Sequence, residues 1–299
     1  MNLFQETLKY LKKDEKKDNH YYLIEPHLLY LSEAQSNSYI NVTKNDQYFN
    51  SFHYETLELI HSNLGKICGQ NDSFSLIDLG PGYPDKSLPI ARYMQSKGSL
   101  IDYYPIDISA SFLQLAEKEM SSHVLAVTPI CARFEECQPF IPSQAFAKTS
   151  LLMMGITFMN FDPNLIIPLL KSIAGKEGRV MLSTELITEN NSIKSILSSY
   201  QIKECEEFTF GPLKNLGLDR NSVNYLAEFR NSRVETKFLL SSPFKMPGIQ
   251  LKEGDIITTA ISYRYSLDDL KILLGKYFKK FDLCLSKSKK TALTICFVG

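Results

Sequence analysis

Between residues 74 and 186 five short aliphatic or β-branched runs alternate with amphipathic segments, and this rhythm constrains the fold more than any other feature of the 299-residue chain. The runs are FSLIDLG (74–80), LIDYYPIDIS (100–109), VLAVTPICARF (124–134), TSLLMMG (149–155) and GRVMLSTEL (178–186). Apolar runs of this length, bounded by helical segments, read as strands covered on both faces. Helices are predicted over 84–97, 110–121 and 163–174. The last opens on Asp162-Pro163, a capping residue followed by proline where the missing N–H costs nothing. Five strands joined by crossovers imply a doubly wound α/β sheet.

After Glu185 the rhythm changes. A polar helical stretch over 190–200 leads into residues 208–228, followed by two extended runs, VETKFLL (234–240) and GDIITTAISYRY (254–265). A helix over 267–277 precedes FKKFDLCLSKSKKTALTICFVG (278–299), whose two strand-like runs flank a Lys-Ser-Lys-Lys turn and read as an antiparallel hairpin. The first 60 residues are tyrosine-rich and weakly patterned. They and residues 191–263 are assigned to a substrate-binding lid, and 61–190 with 264–299 to the sheet domain.

Charge sets the class of partner. Lysine plus arginine number 33 and aspartate plus glutamate 33, so no net field recruits nucleic acid or anionic lipid, and a small molecule is the expected substrate. The amino terminus is charged from position 6 onward, and nowhere do about 18 apolar residues run together, so a cytoplasmic protein is expected. Six cysteines lack a CxxC pair and five histidines lack HExxH spacing, so neither a disulfide framework nor a metal site is expected. The oligomeric state leaves no signal.

The first strand ends Asp78-Leu79-Gly80-Pro81-Gly82, which puts glycines at the carboxyl edge of the sheet, where open α/β folds bind ligands. A dinucleotide fingerprint would need a third glycine where Asp85 stands, and that carboxylate would repel a pyrophosphate. Lys86-Ser87 follows Gly82 too closely for a Walker loop. Asp107, at the tip of the second strand, can accept hydrogen bonds from both hydroxyls of a ribose, although a strand-end aspartate also serves as a helix cap. Together these features point to an adenosine-containing ligand without a pyrophosphate, and S-adenosylmethionine fits that description.

Six motifs in order resemble the histidine-specific methyltransferases, S-adenosylmethionine enzymes typified by the ergothioneine-pathway histidine Nα-methyltransferase. The family loop (L/V)xELGSGxxxKT is matched by IDLGPGYPDKS, YxPVDVS by YYPIDIS, and GSTIGNFxP by GITFMNFDP (155–163). FNxNxLxxxNRExxxxF is matched loosely by residues 208–229, SRIEM by SRVET (232–236), and GExIxTExSYKY by GDIITTAISYRY (254–265). The resemblance implies a class I methyltransferase fold, Rossmann-like, with the antiparallel C-terminal hairpin and a lid. It gives Gly80, Gly82 and Lys86 the methionine moiety of the cofactor and Asp107 its ribose. Asp78, Ile108, Arg133, Phe134 and Gly155, on the same loops, complete the expected cofactor set. Asn160 inherits contact with the amino and carboxylate groups of an amino-acid acceptor, and Tyr200 and Tyr48 match family tyrosines of the same pocket. Tyr200 and Ser262 are the candidate acceptors of the amine proton.

Two departures matter. Where the family has an acidic residue before phenylalanine to bind adenine, this chain has Ala132-Arg133-Phe134, and where it has a glutamate to bind the imidazole, this chain has Ala260. The family methionine nearby is Thr236. An imidazole N–H left unpaired in such a pocket costs on the order of 1–3 kcal/mol. The expected space is lined by Thr236, Ile261 and Ser262 and suits an apolar or uncharged side chain. The expected activity is therefore N-methylation of a small amino acid or related amine other than histidine. A cofactor-binding homologue without transferase activity, or a methyltransferase of protein or nucleic acid, are the alternatives. The loop after the fourth strand lacks the Asn/Asp-Pro-Pro-Tyr/Phe sequence of base-methylating enzymes.

Overall fold

The computed structural model describes residues 2–69, 74–146 and 150–299, with backbone alone over 46–51. The chain divides into two compact units, each assembled from separate stretches: Met1–Phe49 with Ser192–Tyr263, and Asn50–Asn191 with Arg264–Gly299. Residues 50–60 thus belong with the sheet domain rather than with the N-terminal segment, because the helix Asp46–Ser62 continues through them into that unit.

The second unit is an α/β sheet. Its strands in chain order are Ser75–Leu79, Asp102–Asp107, the split pair Ala126–Val127 and Ile130–Cys131, Ser150–Met154, Arg179–Glu185, Lys280–Leu285 and Thr291–Phe297. Counting the split pair as one, the spatial order is 3-2-1-4-5-7-6. The first five run parallel, and Thr291–Phe297 enters antiparallel beside Arg179–Glu185, as its hairpin partner does beside it. The expected third strand is broken because Pro129 has no N–H to donate to the ladder, and it is split into two short pairs on Asp102–Asp107. Leu76, Tyr103, Leu151, Met181 and Leu293 from the strands pack against Ile90, Met94, Ala116 and Met120 from the crossover helices. The order reverses direction between strands 1 and 4, which places the ligand crevice of such a sheet at their carboxyl ends.

The first crossover helix begins at Leu88, four residues later than expected, because the segment from Gly80 to Ser87 is committed to a turn. The helices Ala110–Met120, Pro163–Ala174 and Leu267–Tyr277 lie where the sequence places them. Among the described residues no helix is long and apolar enough to cross a membrane.

The first unit holds a five-stranded sheet in the order Lys12–Lys13, His20–Tyr22, Ile256–Tyr263, Arg233–Leu240, Val223–Arg230. His20–Tyr22 runs parallel to Ile256–Tyr263, and the other pairs are antiparallel. Leu23, Leu28, Leu213, Phe238 and Ile257 form its core between the sheet and the helix Lys203–Asn215. A bulge opposite Thr236 and Lys237 leaves Thr259 without a facing residue, so Thr236 pairs with Ala260 and Lys237 with Thr258.

Candidate active site

Three loops of the α/β unit converge on Gly80. Its backbone is left-handed, at φ +69°, and a Cβ built there would lie 3.2 Å from Thr157 Oγ1 and 3.4 Å from the Phe134 ring, so a side chain there would be strained and tightly crowded. Gly82, at φ +53°, is also left-handed, but a Cβ there would meet nothing within 4 Å. The turn is therefore open where a ligand approaching the main chain would need room. The aliphatic stem of Lys86 lies against Gly155, 3.5 Å from the Cβ position, so the loops after strands 1 and 4 touch as well. Phe134 in turn packs on Phe161, with ring centroids 5.8 Å apart.

Two buried carboxylates stand beside this turn and do different work. Asp78 accepts hydrogen bonds from Tyr103 Oη at 2.8 Å and from Ser87 Oγ. Burial pushes its carboxyl up to about 6, against the pull of those two donors. Both donors are protein groups, so Asp78 fastens the glycine turn to the second strand and to the start of the following helix.

Asp107 is 7% exposed. Its protein donors are the backbone N–H groups of Ser109, at 2.8 Å, and Ile108. Burial pushes its carboxyl up to about 7, with further repulsion from Asp78. A carboxylate has about four acceptor sites, and main-chain N–H groups leave capacity for two ligand hydroxyls. The open glycine turn and this carboxylate fit the adenosine and amino-acid portions of S-adenosylmethionine.

Lys86 Nζ lies 3.0 Å from Asp85 Oδ1, and His53 Nε2 lies 2.8 Å from Asp85 Oδ2. Burial would raise the Asp85 carboxyl, but hydrogen bonding to His53 and the positive charge of Lys86 hold it below the usual range. Asp85, which the sequence shows only as an obstacle to pyrophosphate, thus steadies the lysine assigned to the cofactor. No spacing rule relates positions 53 and 85, and His53 was invisible in the sequence. Arg133 forms an ion pair with Glu136 on the exposed rim, and Ala132 N–H bonds to the Asp107 carbonyl.

Asn160 ends the short helical turn Ile156–Asn160 after strand 4 and is half-buried. It is not the cap of the next helix: Asp162 takes that place, accepting from Asn164 N–H at 2.8 Å. In the other unit, Thr236, Ala260 and Ser262 share one face of the sheet, as their cross-strand register requires. Ile261 points to the opposite face, beside Glu235, so it does not line the space expected around Ala260. What surrounds Ala260 is an apolar cluster of Leu29, Val42, Ile202, Cys205 and Phe208, with Tyr30 and Tyr39 at its margin. The rings of Tyr30, Tyr39 and Phe208 lie 5.4 to 5.5 Å apart, each touching the other two. Tyr200 ends the helix Ile193–Tyr200, is buried, and its carbonyl accepts from Tyr225 Oη at 2.7 Å. The side chain of Tyr48 lies outside the described residues.

A profile of one protein family, described as histidine-specific methyltransferase, SAM-dependent, matches residues 4–294. The chain belongs to that family. That family is SAM-dependent, so the cofactor is S-adenosylmethionine. Among solved structures it resembles the CMeT domain of the citrinin polyketide synthase, with a TM-score of 0.50 at 12% identity, over 91% of this chain and 59% of that one. It also resembles human N-acetylserotonin methyltransferase in complex with SAM, with a TM-score of 0.43 at 11% identity, over 90% of this chain and 57% of that one. The chain thus spans less than two thirds of the length of either structure. At such identities the first likeness speaks for the fold, which is the class I methyltransferase fold read from the strand order. No curated protein matches the chain in sequence.

Proposed function

We propose that this family member methylates the nitrogen of a small amino acid or related amine other than histidine. The observation that carries the reading is Ala260. It replaces the family glutamate on a sheet face where its neighbours are Thr236, Phe208, Tyr30 and Tyr39. The methyl group of Ala260 cannot compensate an imidazole N–H as the family glutamate does, whereas an apolar or aromatic acceptor side chain matches these surfaces.

When bound, S-adenosylmethionine supplies an electrophilic methyl group on its sulfonium. The protein's share of the chemistry is positioning, for which effective molarities allow about 7–11 kcal/mol. Gly80 and Gly82 let the ligand approach the main chain, Asp107 takes the ribose hydroxyls, and Lys86, steadied by Asp85, pairs with the cofactor carboxylate. Asn160 orients the acceptor amine. Tyr200 and Ser262 are the groups assigned to its proton, and neither is a strong base. The acceptor therefore enters as the neutral amine, and turnover rises with pH as the acceptor's ammonium loses its proton.

The test is a transfer assay with methyl-labelled cofactor against amino acids and biogenic amines, histidine included. The expected result is labelled product from an amino acid or amine with histidine a poor acceptor, and loss of transfer in Asn160→Ala with cofactor binding retained. Histidine as the best acceptor, or label found only in protein or nucleic acid, overturns the reading.

A further inference from the structure

The turn that carries Asn160 is anchored through the side chain of Met159. The family loop GSTIGNFxP has glycine before its asparagine, whereas this chain has Met159. The family SYKY has lysine where this chain has Arg264. These two departures meet in the structure, 105 residues apart in sequence. Met159 is fully buried, and its sulfur lies 3.6 Å from Arg264 Nη1 and 3.4 Å from the backbone N of Glu185, so two N–H groups point at one thioether. Arg264, 2% exposed, heads the fully buried side chains by size, and its Nε donates to Glu185 Oε2 at 2.9 Å. The other oxygen of Glu185 accepts from Asn191 Nδ2 at 3.1 Å.

We propose that Arg264 and Glu185 are positioning residues for the methyl acceptor, acting through Met159 to fix the turn Ile156–Asn160 and so the Asn160 amide. This rests on the assignment of Asn160 to the acceptor made above. A glycine before the asparagine leaves that peptide free to rotate, and here a buried side chain clamped at its sulfur replaces that freedom. The planar guanidinium spans carboxylate and sulfur at once, which a lysine ammonium does with less definition. The effect of these residues is orientation, to which transfer is sensitive: a misplacement of about 1 Å costs up to about a hundredfold in rate.

The experiment compares Arg264→Lys, Met159→Leu and the double variant with wild type. Met159→Leu keeps volume and removes the sulfur acceptor, so it is the variant that folds if Arg264→Lys does not. The direct readout is the NMR signal of the Asn160 side-chain amide, identified by its disappearance in Asn160→Ala. Each single variant is expected to shift or broaden that signal while 5′-methylthioadenosine affinity stays within about twofold of wild type. The acceptor found in the transfer assay should lose up to about a hundredfold in kcat/KM. The double variant should be no worse than the poorer single, as for residues acting as one unit. An Asn160 amide unmoved in Met159→Leu, or effects of the two substitutions that simply add, overturns the proposal. An amide that moves as expected, with Asn160→Ala transferring normally, leaves the anchor standing and removes Asn160 from the acceptor site instead.

Discussion

The buried Asp107 makes cofactor affinity depend on pH in a direction that can be worked out. Its carboxyl is pushed from an ordinary 3.8 to about 7, first by burial and then by Asp78. Ribose hydroxyls donate to the ionised form, so binding selects the carboxylate and releases a proton. With a value of about 7, about a tenth of Asp107 is ionised at pH 6 and about nine tenths at pH 8. Affinity should therefore rise about tenfold between those pH values. The suitable probe is 5′-methylthioadenosine, which carries the ribose but lacks the α-amino group that titrates in the same range. Calorimetry in two buffers of different ionisation heat would count the proton released. Asp107→Asn should lose the pH step and bind at least tenfold more weakly at pH 8, since charge-assisted bonds are worth about 1.5–3 kcal/mol each. The same substitution should stabilise the fold. The native state holds the Asp107 proton more tightly than the unfolded chain, so this group costs stability as pH rises from 3.8 to about 7 and the loss persists above. The variant should thus melt higher than wild type at pH 8 and equally near pH 4. A flat affinity from pH 6 to 8, or a tenfold step surviving in Asp107→Asn, would refute the assignment of this carboxylate to the ribose.

Three further outcomes test other parts of the site. Ala260→Glu restores the family carboxylate, and should gain about 1.5–3 kcal/mol of histidine affinity by titration calorimetry; strong histidine binding by wild type without a gain in the variant would show that position 260 does not face the acceptor. Tyr103→Phe removes one of the two side-chain donors to Asp78 and should cost about 1–3 kcal/mol in urea melts at pH 8, but less at pH 5, where the carboxyl is protonated. Gly82→Ala has space for its Cβ but a left-handed backbone, so about 1–2 kcal/mol of stability should be lost; a larger loss of cofactor affinity is expected, and unchanged affinity would mean that the ligand does not pass over this turn.

Much of the α/β unit was legible because its information is local. Runs such as SLIDL and SLLMM are mostly apolar without alternation, and every position in them is buried, as in a strand covered on both faces. Asp162-Pro163 marked its helix start to the residue. The other unit was harder. The strand Val223–Arg230 buries one residue in four fully, so hydrophobicity barely marks it. Its hairpin did leave a signal, the Asn231-Ser232 pair with φ of 51° and 58°, which is the two-residue turn that matches strand twist. The helix Asp46–Ser62 is polar and tyrosine-bearing and was passed over for the same reason. Of the site, the glycine turn and Asp107 could be read because a strand end identifies them. His53 beside Asp85, and Met159 beside Arg264, could not, since only the folded chain brings those positions together.

Glu185 has a consequence for how such an enzyme is assembled from parts. Its two oxygens bind Asn191, the last residue of the α/β unit before the chain departs, and Arg264, the first on its return. Beside it Ile187 N–H bonds to the Tyr265 carbonyl at 2.9 Å, holding the outgoing and incoming strands side by side. Residues 192–263 are therefore an insert whose two ends are soldered to one socket. A short linker from Asn191 to Arg264 would close the sheet without altering its strand order. By the same geometry the glycine turn and Asp107 stay with the sheet whatever the length of chain between those two residues.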